Sequence, residues 1–165
     1  MSKDKRLRAK GRRTGHPFLQ VPHPILNSPA YCSLSPRAVK MLFDLAVQYK
    51  GKNNGDLIAC MSFMKPRGWN SNDQISKALA ELQHAGMIIL TRQGRRPKVA
   101  SLYALTWRPI DECGGKLEEV KATQTAPDNW KQFQYSDHHP AMQSKPPHDA
   151  TRTSKVVSLQ RQAVK

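Results

Sequence analysis

The chain has 165 residues, 38% of them apolar, and a formal charge of +15. That is enough for one modest domain with tails, but too little apolar content for the whole chain to pack into a core. No apolar run approaches the length of a membrane span, and the basic N-terminus lacks the apolar stretch of a secretion signal.

The charge is unevenly placed. Residues 1–16 carry seven Lys/Arg against one acid, residues 17–110 twelve against four, and residues 111–165 eight against seven. The excess in the head and middle can act as a coherent field toward a polyanion, with nucleic acid the first candidate and a membrane surface a weaker one. Cys32, Cys60 and Cys113 form no C-x-x-C pair and no zinc spacing. They are expected to be small apolar fillers in a reducing, cytoplasmic setting.

Residues 1–16, MSKDKRLRAKGRRTGH, hold almost nothing to bury and read as a flexible basic arm. In PFLQVPHPILNSPAYCSLSP the prolines forbid a long helix. Phe18, Val21, Ile25, Leu26 and Tyr31 should lay this segment against the domain. A helix follows from Ser35 to about Tyr49, with Ser35 as N-cap and Pro36 at the first helical position. Its core face is expected at Val39, Leu42, Phe43, Ala46 and Tyr49, and Lys40 and Lys50 read as solvated.

KGKNNG, 50–55, is a turn cluster, and DLIAC, 56–60, a short strand. SFMKPRGW, 62–69, predicts a brief, 3₁₀-like helix stopped at Gly68. Next comes NSNDQISKALAELQHAG. Ser71 and Gln74 form a capping box, Ile75, Ala78, Leu79 and Leu82 give one apolar stripe, and Gly86 supplies a left-handed stop. MIILTR, 87–92, and SLYALTW, 101–107, read as strands joined by the basic turn QGRRPKVA. The second should alternate, with Leu102 and Ala104 on one face and Tyr103, Leu105 and Trp107 on the other. Trp69 and Trp107 are assigned to the core. Beyond Trp107 the pattern fades. The organisation predicted is an arm (1–16), one domain (17–112), and a linker with a mostly disordered C-terminal tail (113–165) in which VVSLQRQAV is a candidate partner-binding helix.

The opening turn of the 71–86 helix is polar and off the apolar stripe, which suits contact outside the protein. Asn70, Asn72, Ser76 and Lys77 are candidates for DNA contact. Asp73 serves equally as a base reader or as a carboxylate stabilising its own helix start. Ser71 and Gln74 are assigned to the cap. Asn72 has the donor and acceptor needed for an adenine edge, and Asp73 could accept from cytosine. Arg92, Arg95, Arg96 and Lys98 lie within seven residues at the second turn, with no acid between 82 and 110. They suit phosphate neutralisation. Arg67 is either a backbone clamp or a surface arginine.

Enzymatic readings find no support. There is no G-x-x-x-x-G-K-[ST], G-x-G-x-x-G or G-x-S-x-G motif. His138, His139 and His148 lack partners at ligand spacing. No catalytic residue, metal or cofactor is expected.

The order helix, short strand, short helix, capped helix and basic hairpin resembles the winged helix–turn–helix family over about Ser35 to Trp107. More closely, RGWNSNDQISKALAELQHAGMIILTRQGRRPKVASLYALTW is similar to small helix–turn–helix and replication-type proteins of bacterial phages, plasmids and integrated elements. The resemblance implies an α+β winged helix–turn–helix of about three helices plus a small antiparallel sheet. It implies duplex DNA as partner, with the capped helix as recognition helix and the hairpin as wing, in a cytoplasmic, nucleoid-associated protein. The leading role is transcriptional regulation on a mobile element or its bacterial host. Replication initiation or copy control stands beside it, as does a DNA-anchored adaptor recruiting a protein through the C-terminal tail. Homodimerisation stays open, and RNA binding is disfavoured by sparse aromatics.

Overall fold

A computed structural model describes residues 17–95 and 99–134. The architecture is α+β. Among the described residues there are five α-helical segments, α1 (His23–Leu26), α2 (Pro29–Cys32), α3 (Pro36–Ala46), α4 (Met61–Met64) and α5 (Asn72–His84). Three strands, β1 (Leu57–Ile58), β2 (Ile88–Arg92) and β3 (Leu102–Leu105), form an antiparallel sheet in the order β1-β3-β2. The expected arm, residues 1–16, and the tail from 135 onward, with its candidate helix and histidines, lie outside the described residues.

The local rules act where the sequence predicts. Ser35 Oγ accepts from Ala38 N–H at 3.2 Å with Pro36 at the first helical position, and Ser71 Oγ accepts from Gln74 N–H at 3.2 Å. Gly68 ends the 3₁₀ turn Lys65–Arg67 in the left-handed region at φ +87°, which an L side chain would resist. Ile75, Ala78, Leu79 and Leu82 are all buried, as are Trp69 and Trp107.

Several features differ from the sequence expectation. The proline-rich segment forms two short helical turns, which raises the helix count from about three to five. Ile25 and Ala30 are buried there, while Phe18 remains 81% exposed. Next, the core face of α3 keeps the expected Leu42 and Ala46 but takes Ala38, Met41 and Leu45 in place of Val39 and Phe43, leaving Phe43 40% exposed. Both stripes have helical spacing; contact with α5 selects between them. The cysteines also do not fill the core: Cys32 is exposed and Cys60 and Cys113 are half-buried.

The largest difference lies after Trp107. Residues 113–134, expected as linker and disordered tail, run along the domain as a strap. Asp128 N–H donates to Thr106 O at 2.8 Å, and Thr123 N–H to Ile110 O at 2.9 Å. Trp130 and Phe133 pack against the core, and the Phe133 ring meets His84 edge-on at 5.8 Å. The strap passes so close to Gly86 that a Cβ there would lie 2.8 Å from the Asn129 backbone. Two aromatics in an otherwise polar stretch are too few to set a periodicity, so this packing leaves no pattern in the sequence.

β3 is the central strand and is buried on both faces. Leu102 and Ala104, on its second face, are as buried as Tyr103 and Leu105. Asn54, from the turn cluster, is fully buried and ties this layer together. Its amide donates to Leu105 O at 2.9 Å and Pro109 O at 2.8 Å, and its side-chain oxygen accepts from Leu105 N–H at 2.7 Å.

The β2–β3 ladder contains a bulge. Leu90 pairs with Tyr103 and Arg92 with Leu102, leaving Thr91 as the extra residue. A bulged residue keeps backbone groups free of the ladder. Thr91 uses them: its carbonyl accepts from Glu118 and Glu119 N–H at 2.9 and 3.0 Å, and its hydroxyl donates to Gly55 O at 2.7 Å. The bulge is therefore where the strap is fastened to the hairpin.

Candidate nucleic-acid interface

The start of α5 is positioned from α3. Asp44, 7% exposed, accepts three bonds: from Lys40 Nζ at 2.6 Å, Trp69 Nε1 at 2.7 Å and Arg67 Nε at 2.9 Å. Lys40 also donates to Arg67 O at 2.7 Å and lies over the Trp69 ring at 5.0 Å. The turn before α5 is thus clamped from both its side chains and its backbone. Burial pushes the Asp44 pKa up, but the bonds from Lys40, Trp69 and Arg67 outweigh it and hold the carboxyl below the usual aspartate range. Lys40, expected as a solvated lysine, is part of this clamp.

A second tie fixes the other end. Both carboxylate oxygens of Glu81 on α5 are used at the start of α3: one accepts from the Ser35 amide, the other from Ser35 Oγ at 2.8 Å. Glu81 of α5 thus caps α3, while Asp44 of α3 braces the turn that leads into α5.

With α5 fixed at both ends, one face of its first two turns is open to solvent, opposite the buried Ile75, Ala78 and Leu79. Asn70, Asn72, Asp73, Ser76 and Lys77 are all exposed. A groove of about 250 Å³ separates α5 from the hairpin, lined on one side by Asn72, Ile75 and Ser76 and on the other by Ala100, Ser101 and Tyr103, with Cys60 also lining it. The structure therefore brings Asn72 and Ser76 together with the base of the hairpin on one face. Ser101 shapes that base, its hydroxyl accepting from Gly94 N–H at 2.9 Å.

The charged candidates divide into three kinds. Lys77 pairs with Asp73 at 3.0 Å one helical turn away, and both side chains stay largely exposed, so either can be re-engaged cheaply. Arg67 and Arg92 are turned toward the protein. Arg67 serves Asp44 and lies 6.0 Å from the Phe63 ring, while Arg92 donates to Ala100 O at 3.2 Å and braces the hairpin from inside. Arg92 Nε is buried with no partner among the described residues. Both arginines thus take bracing roles within the fold. Arg95 is exposed at the hairpin tip but paired with Glu118 of the strap at 2.7 Å. Arg96 and Lys98 lie outside the described residues.

Sequence reasoning missed Asp44, Glu81, Asn54 and Glu118. Each works through a partner 23 or more residues away, and a lone acid or amide on a helix or turn gives no local sign of such a partner. Among the described residues no cluster of His, Cys, Asp and Glu could hold a metal ion, and no helix is long and apolar enough to cross a membrane.

No protein-family model, curated protein or solved structure matches this chain.

Proposed function

We propose that this protein binds duplex DNA as a winged helix–turn–helix module, inserting the N-terminal half of α5 into the major groove and laying the β2–β3 hairpin along the flanking backbone. The observation that carries this reading is the shared groove: exposed Asn72 and Ser76 face the same opening as Ala100 and Ser101 of the hairpin. A groove-entering helix needs a free first half with short hydrogen-bonding side chains and a rigid rear anchor. Here the outward face of the first half, with Asn72, Asp73, Ser76 and Lys77, is polar and exposed, and the opposite face carries Ile75, Ala78, Leu79 and Leu82 in the core.

The division of labour follows from chemistry. Asn72 offers a paired donor and acceptor suited to adenine, and Ser76 a single adaptable hydroxyl. Lys77, Arg95, Arg96 and Lys98 supply cations for phosphates, which fix register but carry little sequence information. The excess of twelve basic over four acidic residues across 17–110, with the basic arm before it, supplies attraction along the duplex. The leading biological role is transcriptional regulation on a mobile element or its host, and replication initiation or copy control on such an element is the alternative.

Selection of bound sequences from random duplex DNA tests the proposal and separates these roles. A single or palindromic operator-like site is expected for a regulator, and tandem repeats for an initiator. Failure to retain duplex at about 0.1 M salt, or retention of single strands in preference to duplex, would overturn it.

A further inference from the structure

The strap is the acidic part of the described chain. Residues 111–134 hold five acids against three bases, while 17–110 are strongly basic. Its acidic stretch is seated beside the hairpin. The Thr91 bulge fixes the backbone of Glu118 and Glu119 on β2, and the Glu118 carboxylate then meets the Arg95 guanidinium at 2.7 Å. The backbone bonds hold Glu118 in place whether or not its side chain is engaged. The carboxylate itself is free to swing, since the ion pair is exposed on both sides. A carboxylate and a phosphate present similar acceptor oxygens to a guanidinium.

We propose that the strap is a built-in electrostatic competitor of DNA, with Glu118 standing in for a backbone phosphate on Arg95 until duplex displaces it. This deepens the duplex-binding reading and rests on it. Its consequence is a uniform cost: every encounter with DNA must exchange Glu118 for phosphate at Arg95, so specific and non-specific complexes are weakened by a similar factor.

Glu118→Gln tests this, with Glu112→Gln as the control. Glu112 is an exposed acid of the same strap and has no cation partner among the described residues. Binding to a random-sequence duplex at low salt is measured for both, in the full chain and in an Arg95→Ala background. The energy of an exposed ion pair predicts that E118Q tightens binding by about 1.5- to 5-fold. E112Q should give a smaller change, and the gain from E118Q should fall to the E112Q level when Arg95 is absent. Equal effects of E118Q and E112Q, or a gain from E118Q undiminished by R95A, would overturn the competitor while leaving duplex binding intact. If the wild type and all variants fail to bind duplex, the duplex reading falls and takes the competitor with it.

Discussion

Replacing Asp44 with Asn removes one charge from the clamp below α5 while keeping its shape. The native carboxylate accepts from Lys40 at 2.6 Å, Trp69 at 2.7 Å and Arg67 at 2.9 Å, in a site that is 7% exposed. An asparagine has one acceptor oxygen, so its amide nitrogen must face at least one of these donors. Hydrogen bonds to a charged group are worth about 1.5–3 kcal/mol each, and an uncompensated buried cation adds to the loss. Part is recovered because Lys40 and Arg67 reach solvent, so the net destabilisation is about 2–4 kcal/mol. Thermal unfolding followed by tryptophan fluorescence should show a fall in Tm of about 5–15 °C.

The same variant reports on positioning. Losing an acid makes the protein more positive and, by charge alone, would raise DNA affinity. A fall in affinity, measured below the lowered Tm, therefore isolates misplacement of α5. The acid side of the stability profile also changes. Because the folded-state pKa of Asp44 is lowered, its stabilisation is present above the unfolded value of about 3.9 and is lost as pH falls below that through the folded value. Wild type and D44N should converge in stability as acid is added. A D44N protein within about 0.5 kcal/mol of wild type at neutral pH, with no such convergence, would refute the clamp.

Other consequences are more direct. Asn72→Ala should cost about 1–3 kcal/mol of discrimination at one base position while leaving affinity for random duplex nearly unchanged, which competition with single-base variants of the selected site measures. Arg95→Ala with Arg96→Ala should weaken all duplexes alike and flatten the dependence of log K on log salt by about 1 to 2, and an unchanged slope would remove the hairpin from the interface. A chain ending at residue 112 should be less stable to urea than one ending at 134. It loses the partly buried Trp130 and Phe133, worth together about 3 kcal/mol, and the bonds to Thr91 and Thr106. Equal unfolding midpoints would show that the strap is not part of the folded unit.

Sequence alone determined whatever local chemistry dictates. Serine followed by a helical pattern set the starts of α3 and α5, Gly68 and Gly86 set left-handed stops, and the apolar stripe fixed which side of α5 turns inward. From that alone, the exposed side of α5 holding Asn72, Ser76 and Lys77 was also legible. Tertiary structure decided what depends on residues distant in the chain. It drew Ala38, Met41 and Leu45 of α3 into the core beside Leu42 and Ala46 and left Phe43 out, because two helical stripes were available and α5 fits one of them. It drew Asp44 to Lys40, Arg67 and Trp69, and Glu81 to Ser35. It folded a polar stretch without periodicity along the domain, because a bulge at Thr91 left a carbonyl for it to bind and Trp130 and Phe133 found apolar surface to cover. The result matters most at Arg95: by sequence it stands in a stretch free of acids, and in three dimensions an acid 23 residues away sits against it.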